Sequence, residues 1–167
     1  MDYKKLTFTF KMQYLFDVAK LRSAYIATHT IGQDGTTQER NLAITNSDRD
    51  LWNVSIRYPA NKVYDYLISA GKVKAGDYQY NVPAADGSLT ISYTLYIHPD
   101  WDTNLSRGLN DMIEKAIVSG GLADWFKANM NLNAYQAIQA EYEESLRECK
   151  GNINRRKSMP QRPHNTF

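Results

Sequence analysis

The feature that most constrains the fold of this chain is one change of hydrophobic period between residues 76 and 97. The segments YQYNV and LTISYTLYI are rich in β-branched and aromatic residues, and they flank PAADGS, in which Asp86-Gly87 is a hairpin turn signal. In the second segment the apolar residues alternate as in a strand with one buried face: Ile91, Tyr93, Leu95 and Ile97. The sequence therefore predicts one antiparallel β-hairpin within a chain whose other periodic segments are helical.

Two segments before the hairpin have apolar residues at helical spacing. The first, KMQYLFDVAKLRSAYIATH, predicts a helix with one buried face, made by Tyr14, Val18, Leu21 and Tyr25. The second follows NSDRDLW, and its predicted buried stripe is Trp52, Ile56, Ala60, Val63 and Leu67. Ahead of both, Leu6, Phe8 and Phe10 alternate with polar residues as in a strand, which leaves the start of the chain ambiguous.

Pro59 lies within the second helical segment. A proline there removes the hydrogen bond to the carbonyl of Ser55, so we expect a kink between Ser55 and Pro59 or a break into two shorter helices.

Two more helices are predicted after the hairpin. One has Leu105, Leu109, Met112 and Ala116 in register, and its Gly120-Gly121 pair implies a bend or a very close helix crossing. The last helix is predicted to end around Gly151 and to bury Tyr135, Ile138, Tyr142 and Leu146. The fold class is thus mainly α with one β-hairpin and four principal helices.

The length of 167 residues suits a single domain with its own core. Twelve tyrosines supply amphipathic rings that can face either a core or a neighbouring subunit. The first residues lack the apolar core of a signal peptide, and no apolar run approaches the roughly 20 residues that span a bilayer. We therefore expect a soluble protein of the cytoplasm with no membrane contact.

The end of the chain differs in charge from the rest. From Lys150 onward there are five basic residues and no acidic one, so of 20 basic and 18 acidic residues in all, 15 basic and 18 acidic precede it. We divide the chain into a helical domain, 1–151, and a basic C-terminal arm, 152–167. Three interpretations of the arm remain open: a solvated end, a non-specific contact with nucleic acid phosphates, or a segment that orders on a neighbouring subunit.

The sequence gives no positive argument for an enzyme. His98, Asp100 and Asp102 cluster in HPDWD, where helix capping is the simpler explanation than a divalent metal. Cys149 lies near the stripe of an amphipathic helix without an adjacent base, which favours packing over nucleophilic catalysis. We predict no catalytic residue, no cofactor and no metal.

The order of elements resembles a known family. FDVAKLRSAYI, NLAITNSDRDLWNVSIRYPANKVYDYLI and YIHPDWDTNLSRGLNDMIEKAIVSGGLADWF, followed by a long helix ending in RRKSMPQRP, are similar to small virion proteins of phages and prophages of Bacteroidetes. Those proteins are similar in layout to the helical head-tail connector, or adaptor, proteins of tailed phages.

The resemblance implies a structural role in the neck of a virion. It implies a ring of identical subunits at the portal-tail junction, with the portal and tail proteins as partners and the virion as the location. It places Trp125 and Phe126, in the segment that starts at Asp124, and the tail arginines Arg155, Arg156 and Arg162 at packing or interface positions. Lys157 and Phe167 are further interface candidates because they belong to the basic arm, with Phe167 as its apolar anchor. The alternative from the residues themselves is a non-virion protein that binds nucleic acid through the basic tail, against which the acidic body argues.

Overall fold

The computed structural model describes residues 2–29 and 42–156. Three strands and five helices form in this part of the chain: β1 (Lys4–Lys11), α1 (Met12–His29), α2 (Arg49–Ser55), α3 (Arg57–Ile68), β2 (Val73–Pro83), β3 (Leu89–Ile97), α4 (Ser106–Ala128) and α5 (Leu132–Ile153). The predicted class is confirmed: the protein is mainly α with a hairpin, and α2 and α3 are the two parts of the second of four principal helices.

The sheet contains one strand more than the hairpin. β3 is the central strand and pairs antiparallel with both β1 and β2, in the order β1-β3-β2. Phe8 pairs with Tyr93 and Phe10 with Ile91, so the alternation near the start of the chain does belong to a strand. The predicted stripe of β3 is confirmed, because Ile91, Tyr93, Leu95 and Ile97 are all fully buried.

The hairpin turn forms where the sequence predicts it. Gly87 has φ +78°, a left-handed conformation that glycine adopts without steric cost, and its N–H donates to the carbonyl of Ala84 at 2.9 Å. The Asp86 carboxylate accepts from the backbone N–H of Ser88 at 3.0 Å and from Lys11 Nζ at 2.7 Å. These bonds hold the pKa of Asp86 well below its usual value, with the Lys11 hydrogen bond the largest cause.

The expected break near Pro59 is also confirmed. α2 ends at Ser55 and α3 begins at Arg57, with Ile56 between them. Pro59 therefore lies in the first turn of α3, where the missing N–H is tolerated. The predicted stripe continues through the break, and its members are fully buried: Trp52, Ile56, Ala60, Val63 and Leu67.

The glycine pair marks close helix contacts without interrupting α4. α4 runs through Gly120 and Gly121 and packs on α5. A Cβ added at Gly120 would lie 2.6 Å from Cβ of Pro59, and one added at Gly121 would lie 2.6 Å from Cη2 of Trp52. Of the two predicted explanations, the close crossing is the one observed.

The prediction for α1 is wrong about which face is buried. Tyr14, Leu21 and Tyr25 are exposed, and Val18 is only half-buried. The buried face lies on the other side of the helix and consists of Met12, Leu15, Phe16, Ala19, Ser23 and Ala27. α1 carries apolar residues on two faces, and periodicity alone does not tell which of them packs on the core.

Several tyrosines belong to the core. The rings of Tyr64, Tyr78 and Tyr93 stack on one another, with centroids 5.4 to 5.8 Å apart. The Tyr93 hydroxyl donates to the carbonyl of Ala60 at 2.8 Å. Stacking between α3 and the sheet therefore accounts for part of the high tyrosine content, and the exposed tyrosines need another explanation.

Candidate functional site

The outer side of α1 presents an apolar surface, which we call the α1 face. It consists of Tyr14, Leu21 and Tyr25, which are 51%, 74% and 67% exposed, with half-buried Val18 between them. These residues follow the four-three-four spacing of one helix side. Because another side of α1 already packs on the core, the fold itself does not need the α1 face to be apolar.

A groove runs beside the C-terminal half of the α1 face. It has a volume of about 450 Å³ and lies between α1 and α5, lined by Leu21, Arg22, Tyr25, Ile26, Ile138 and Glu141. The Arg22 guanidinium donates to the Glu141 carboxylate at 2.6 Å, and Lys115 Nζ lies 3.9 Å from the same group. The charges inside the groove are thus paired within the subunit, while Leu21 and Tyr25 stay exposed.

Carboxylates border the other half of the α1 face. The Tyr14 hydroxyl lies beside Glu114, which raises the pKa of Tyr14 above its usual value. Burial and the nearby Asp111 raise the pKa of the Glu114 carboxyl. The α1 face is therefore apolar at its centre and acidic along the side that meets α4.

A second apolar surface, which we call the α2–α3 ridge, lies on different elements. Leu51, Val54 and Tyr58 are 54%, 71% and 64% exposed. A cleft of about 410 Å³ adjoins the ridge and is lined by Val54, Arg57, Tyr58, Asn61 and Tyr78, among which Arg57 carries the charge. The Arg57 guanidinium lies 5.9 Å from the Tyr80 ring centroid, so the ridge has a basic border.

The structure separates the seven predicted interface residues. Trp125 and Phe126 are buried within the subunit, and the indole N–H of Trp125 donates to the carbonyl of Leu42 at 3.0 Å. Of the two predicted roles, packing is the one that their burial favours. Arg155 and Arg156 are exposed. Lys157, Arg162 and Phe167 lie outside the described residues.

The first residues of the predicted arm belong to the folded domain. α5 continues to Ile153, and Asn152 and Ile153 are buried. The carbonyl of Asn152 accepts a hydrogen bond from the Trp101 indole at 3.1 Å, and Arg156 pairs with Trp101 in an isolated β-bridge. The boundary predicted at residue 151 is therefore too early, because helix α5 extends past Gly151 and buries its last turn.

Basic residues collect at the end of the sheet where α5 finishes, a region that we call the basic end. Lys5 and Lys74 flank Tyr96 across the central strand, which places all three on the outer sheet face. Lys4 Nζ donates to the carbonyl of Trp101 at 3.3 Å, next to the bridge with Arg156. Arg156, the last described residue, thus lies beside the lysines at this end of the sheet.

The residues that the sequence offered for metal binding or catalysis have structural roles. Asp102 Oδ1 accepts from the backbone N–H of Asn104 at 3.1 Å and so caps the 3₁₀ turn Thr103–Leu105, and His98 Nδ1 lies 3.5 Å from Asp100. Cys149 is fully buried, and burial raises the pKa of its thiol to about 12. Residues 2–29 and 42–156 contain no group of three or more His, Cys, Asp or Glu placed to hold a metal ion.

Comparison with known proteins gives no relative: no family model, no curated protein and no solved structure matches this chain. None of the helices described in the structure is both long and apolar enough to cross a membrane.

Proposed function

We propose that this protein is a non-enzymatic structural subunit that assembles with copies of itself into a ring, in the manner of the head-tail connectors that its sequence resembles. The observation that carries the proposal is the α1 face. Exposed apolar patches on soluble domains mark interaction surfaces, and aromatic residues are enriched in the buried parts of such interfaces.

The proposed ring lies at the portal-tail junction of a virion assembled in the host cytoplasm, with the portal and tail proteins as its other partners. The resemblance of the sequence supports this location. Two separate apolar surfaces on a tightly packed helical body support the ring, since a subunit within a ring contacts two neighbours at once.

The proposed arm consists of residues 157–167, including Lys157, Arg162 and Phe167. The bridge between Arg156 and Trp101 holds the last described residue against the folded domain. The basic residues of the arm can form charge-assisted hydrogen bonds with carboxylates of a neighbouring subunit.

Negative-stain electron microscopy tests the proposal, using the purified protein alone and mixed with a portal protein encoded in the same genome. We expect rings, or rings that form on the portal. A truncation after Arg156 retains the buried Ile153 and should leave the subunit folded while weakening its attachment to the portal. Monomers under both conditions would contradict the proposal.

Nucleic acid binding is the second candidate, and the basic end is the observation that favours it. Lysines beside an exposed aromatic ring suit a phosphate backbone, while Asp100 and Asp102, on either side of Trp101, reduce the net positive charge at this end. Affinity for single-stranded and duplex DNA, measured over a range of salt concentrations, tests it. A steep salt dependence that falls in the double variant Lys5→Ala/Lys74→Ala, and not in Lys127→Ala, would favour this candidate over the ring.

A further inference from the structure

We propose that the α1 face of one copy packs on the α2–α3 ridge of the next copy, so that the interface joins two unlike surfaces. This inference rests on the proposed function, because it names the two surfaces through which a ring would close. An interface between unlike surfaces can close into a ring, whereas a two-fold interface uses the same surface on both copies.

The two surfaces are separate on the subunit. Polar contacts lie between α1 and the segment that leads into α2: the Arg49 guanidinium donates to Gln13 Oε1, and Lys20 Nζ donates to Asn46 Oδ1 at 2.6 Å. The α1 face and the α2–α3 ridge are therefore two surfaces divided by a polar seam, and one copy can offer both at the same time.

The borders of the two surfaces have opposite charge. Asp17 lies on α1 beside Leu21, and Asp111 and Glu114 lie on the neighbouring part of α4; within the described residues none of these carboxylates forms an ion pair. Arg57 and Lys62 flank Tyr58 on the ridge, and within the described residues neither forms an ion pair; Asp124 and Glu143 line the groove beyond Tyr58 and Lys62. The acidic border of the α1 face is electrostatically complementary to the Arg57 side of the ridge, which favours a contact between these two surfaces.

The shapes also suit this pairing. The groove beside Leu21 and Tyr25 and the cleft beside Val54 and Tyr58 are each above 400 Å³, within the range of pockets that take small organic groups. Tyr25 and Tyr58 are 67% and 64% exposed, and each lines the recess on its own surface, so each ring would be buried by a side chain that enters that recess. A buried aromatic residue of this kind is a typical anchor of a protein interface.

Cysteine crosslinking tests the pairing directly. Leu21→Cys places a thiol on the α1 face and Val54→Cys places one on the ridge, while the native Cys149 is fully buried and its raised pKa keeps it unreactive. With a short bismaleimide crosslinker, a mixture of the two variants should give a dimer that neither variant gives alone. The double variant should give a ladder that ends at the ring size. Gln79→Cys, exposed on the outer face of the sheet, is the matched control and should not crosslink to Leu21→Cys.

The outcomes separate this inference from the proposed function. If Leu21→Cys crosslinks efficiently to itself, the interface joins like surfaces and the inference is wrong. If sedimentation shows oligomers but the mixed variants do not crosslink, the subunits contact each other through other surfaces. The inference is then wrong, and the proposed function is not contradicted. If no oligomer forms with or without the portal protein, the proposed function fails as well.

Discussion

Two apolar stripes of the same helical period differ in burial in this protein. The stripe of α2 and α3, from Trp52 to Leu67, is fully buried, while the stripe of α1, from Tyr14 to Tyr25, is largely exposed. In the sequence both are apolar residues at intervals of three and four. The difference lies in the rest of each helix: the stripe of α2 and α3 is the face that packs on α4 and the sheet, whereas α1 has a further set of apolar residues that fills the core.

An exposed apolar face that the core does not require has a different origin from a buried one. The buried stripe is explained by folding, because removing large apolar groups from water is the main driving force of folding. In the exposed stripe only Val18 packs partly against the core, and we propose that the other residues contact another molecule. Substitutions in a stripe that stabilises the subunit should lower its stability, whereas substitutions in a stripe that joins subunits should change the oligomeric state.

A substitution at the centre of the buried stripe should cause the largest loss in the free energy of unfolding. Trp52→Ala leaves a large cavity against α4 and should lower the free energy of unfolding by about 3–5 kcal/mol. The matched change on the exposed stripe, Tyr25→Ala, should alter it by no more than about 0.5 kcal/mol. Urea denaturation of the monomeric fraction measures both. Equal losses for the two variants would mean that α1 also stabilises the subunit through Tyr25.

The close approach of α4 to Trp52 gives an intermediate effect. Gly121→Ala places a methyl group against a rigid, fully buried ring and should cost about 1–3 kcal/mol through overpacking. The same change at Gly151, a helical position with open space around it, should stabilise the protein by about 0.4–1 kcal/mol. Thermal unfolding of the two variants should shift in opposite directions. A stabilised Gly121→Ala would show that α4 can move away from Trp52.

The interior of the subunit was largely predictable from local pattern. The hairpin, the Trp52 stripe and the break before Pro59 each depend on neighbouring residues, and so a short window of sequence contains the information. The pairing of β1 with β3 joins residues about 80 positions apart, as in Phe10 with Ile91, and the alternation of β1 alone does not specify a partner. The predicted end of α5, around Gly151, falls two residues before the observed end at Ile153, because the buried Ile153 is held by tertiary contacts that a local pattern does not contain.

The candidate site was much less predictable. Leu21 and Tyr25 were assigned to the core, since a helix with two apolar faces gives no local sign of which face turns outward. Trp125 and Phe126 were candidates for an interface and lie in the core, because aromatic residues serve both environments equally well. The α2–α3 ridge had no signal of its own, as Val54 and Tyr58 lie between the members of a stronger buried stripe.

A smaller, pH-dependent effect is expected at the border of the α1 face. Burial raises the pKa of Glu114 above its usual 4.5, so the folded state binds the proton more tightly than the unfolded state. The stability contributed by this group is therefore present at low pH and is lost as the pH rises above 4.5 through the higher folded-state pKa. Glu114→Gln cannot titrate, so it should gain stability relative to the wild type as the pH rises.

Urea midpoints at about pH 4 and about pH 7 measure this effect. The difference between variant and wild type should be larger at the higher pH. The same difference at both values would show that the Glu114 carboxyl titrates alike in the folded and unfolded states.

Sedimentation velocity of the wild type and two charge-insertion variants tests whether the α1 face joins subunits. Leu21→Glu places a carboxylate at the centre of the α1 face, and Ala24→Glu places the same group on another exposed side of the helix. We expect a concentration-dependent oligomer, alone or with the portal protein, for the wild type and Ala24→Glu, and a folded monomer with unchanged thermal stability for Leu21→Glu. Oligomers of the same size for all three proteins would contradict it.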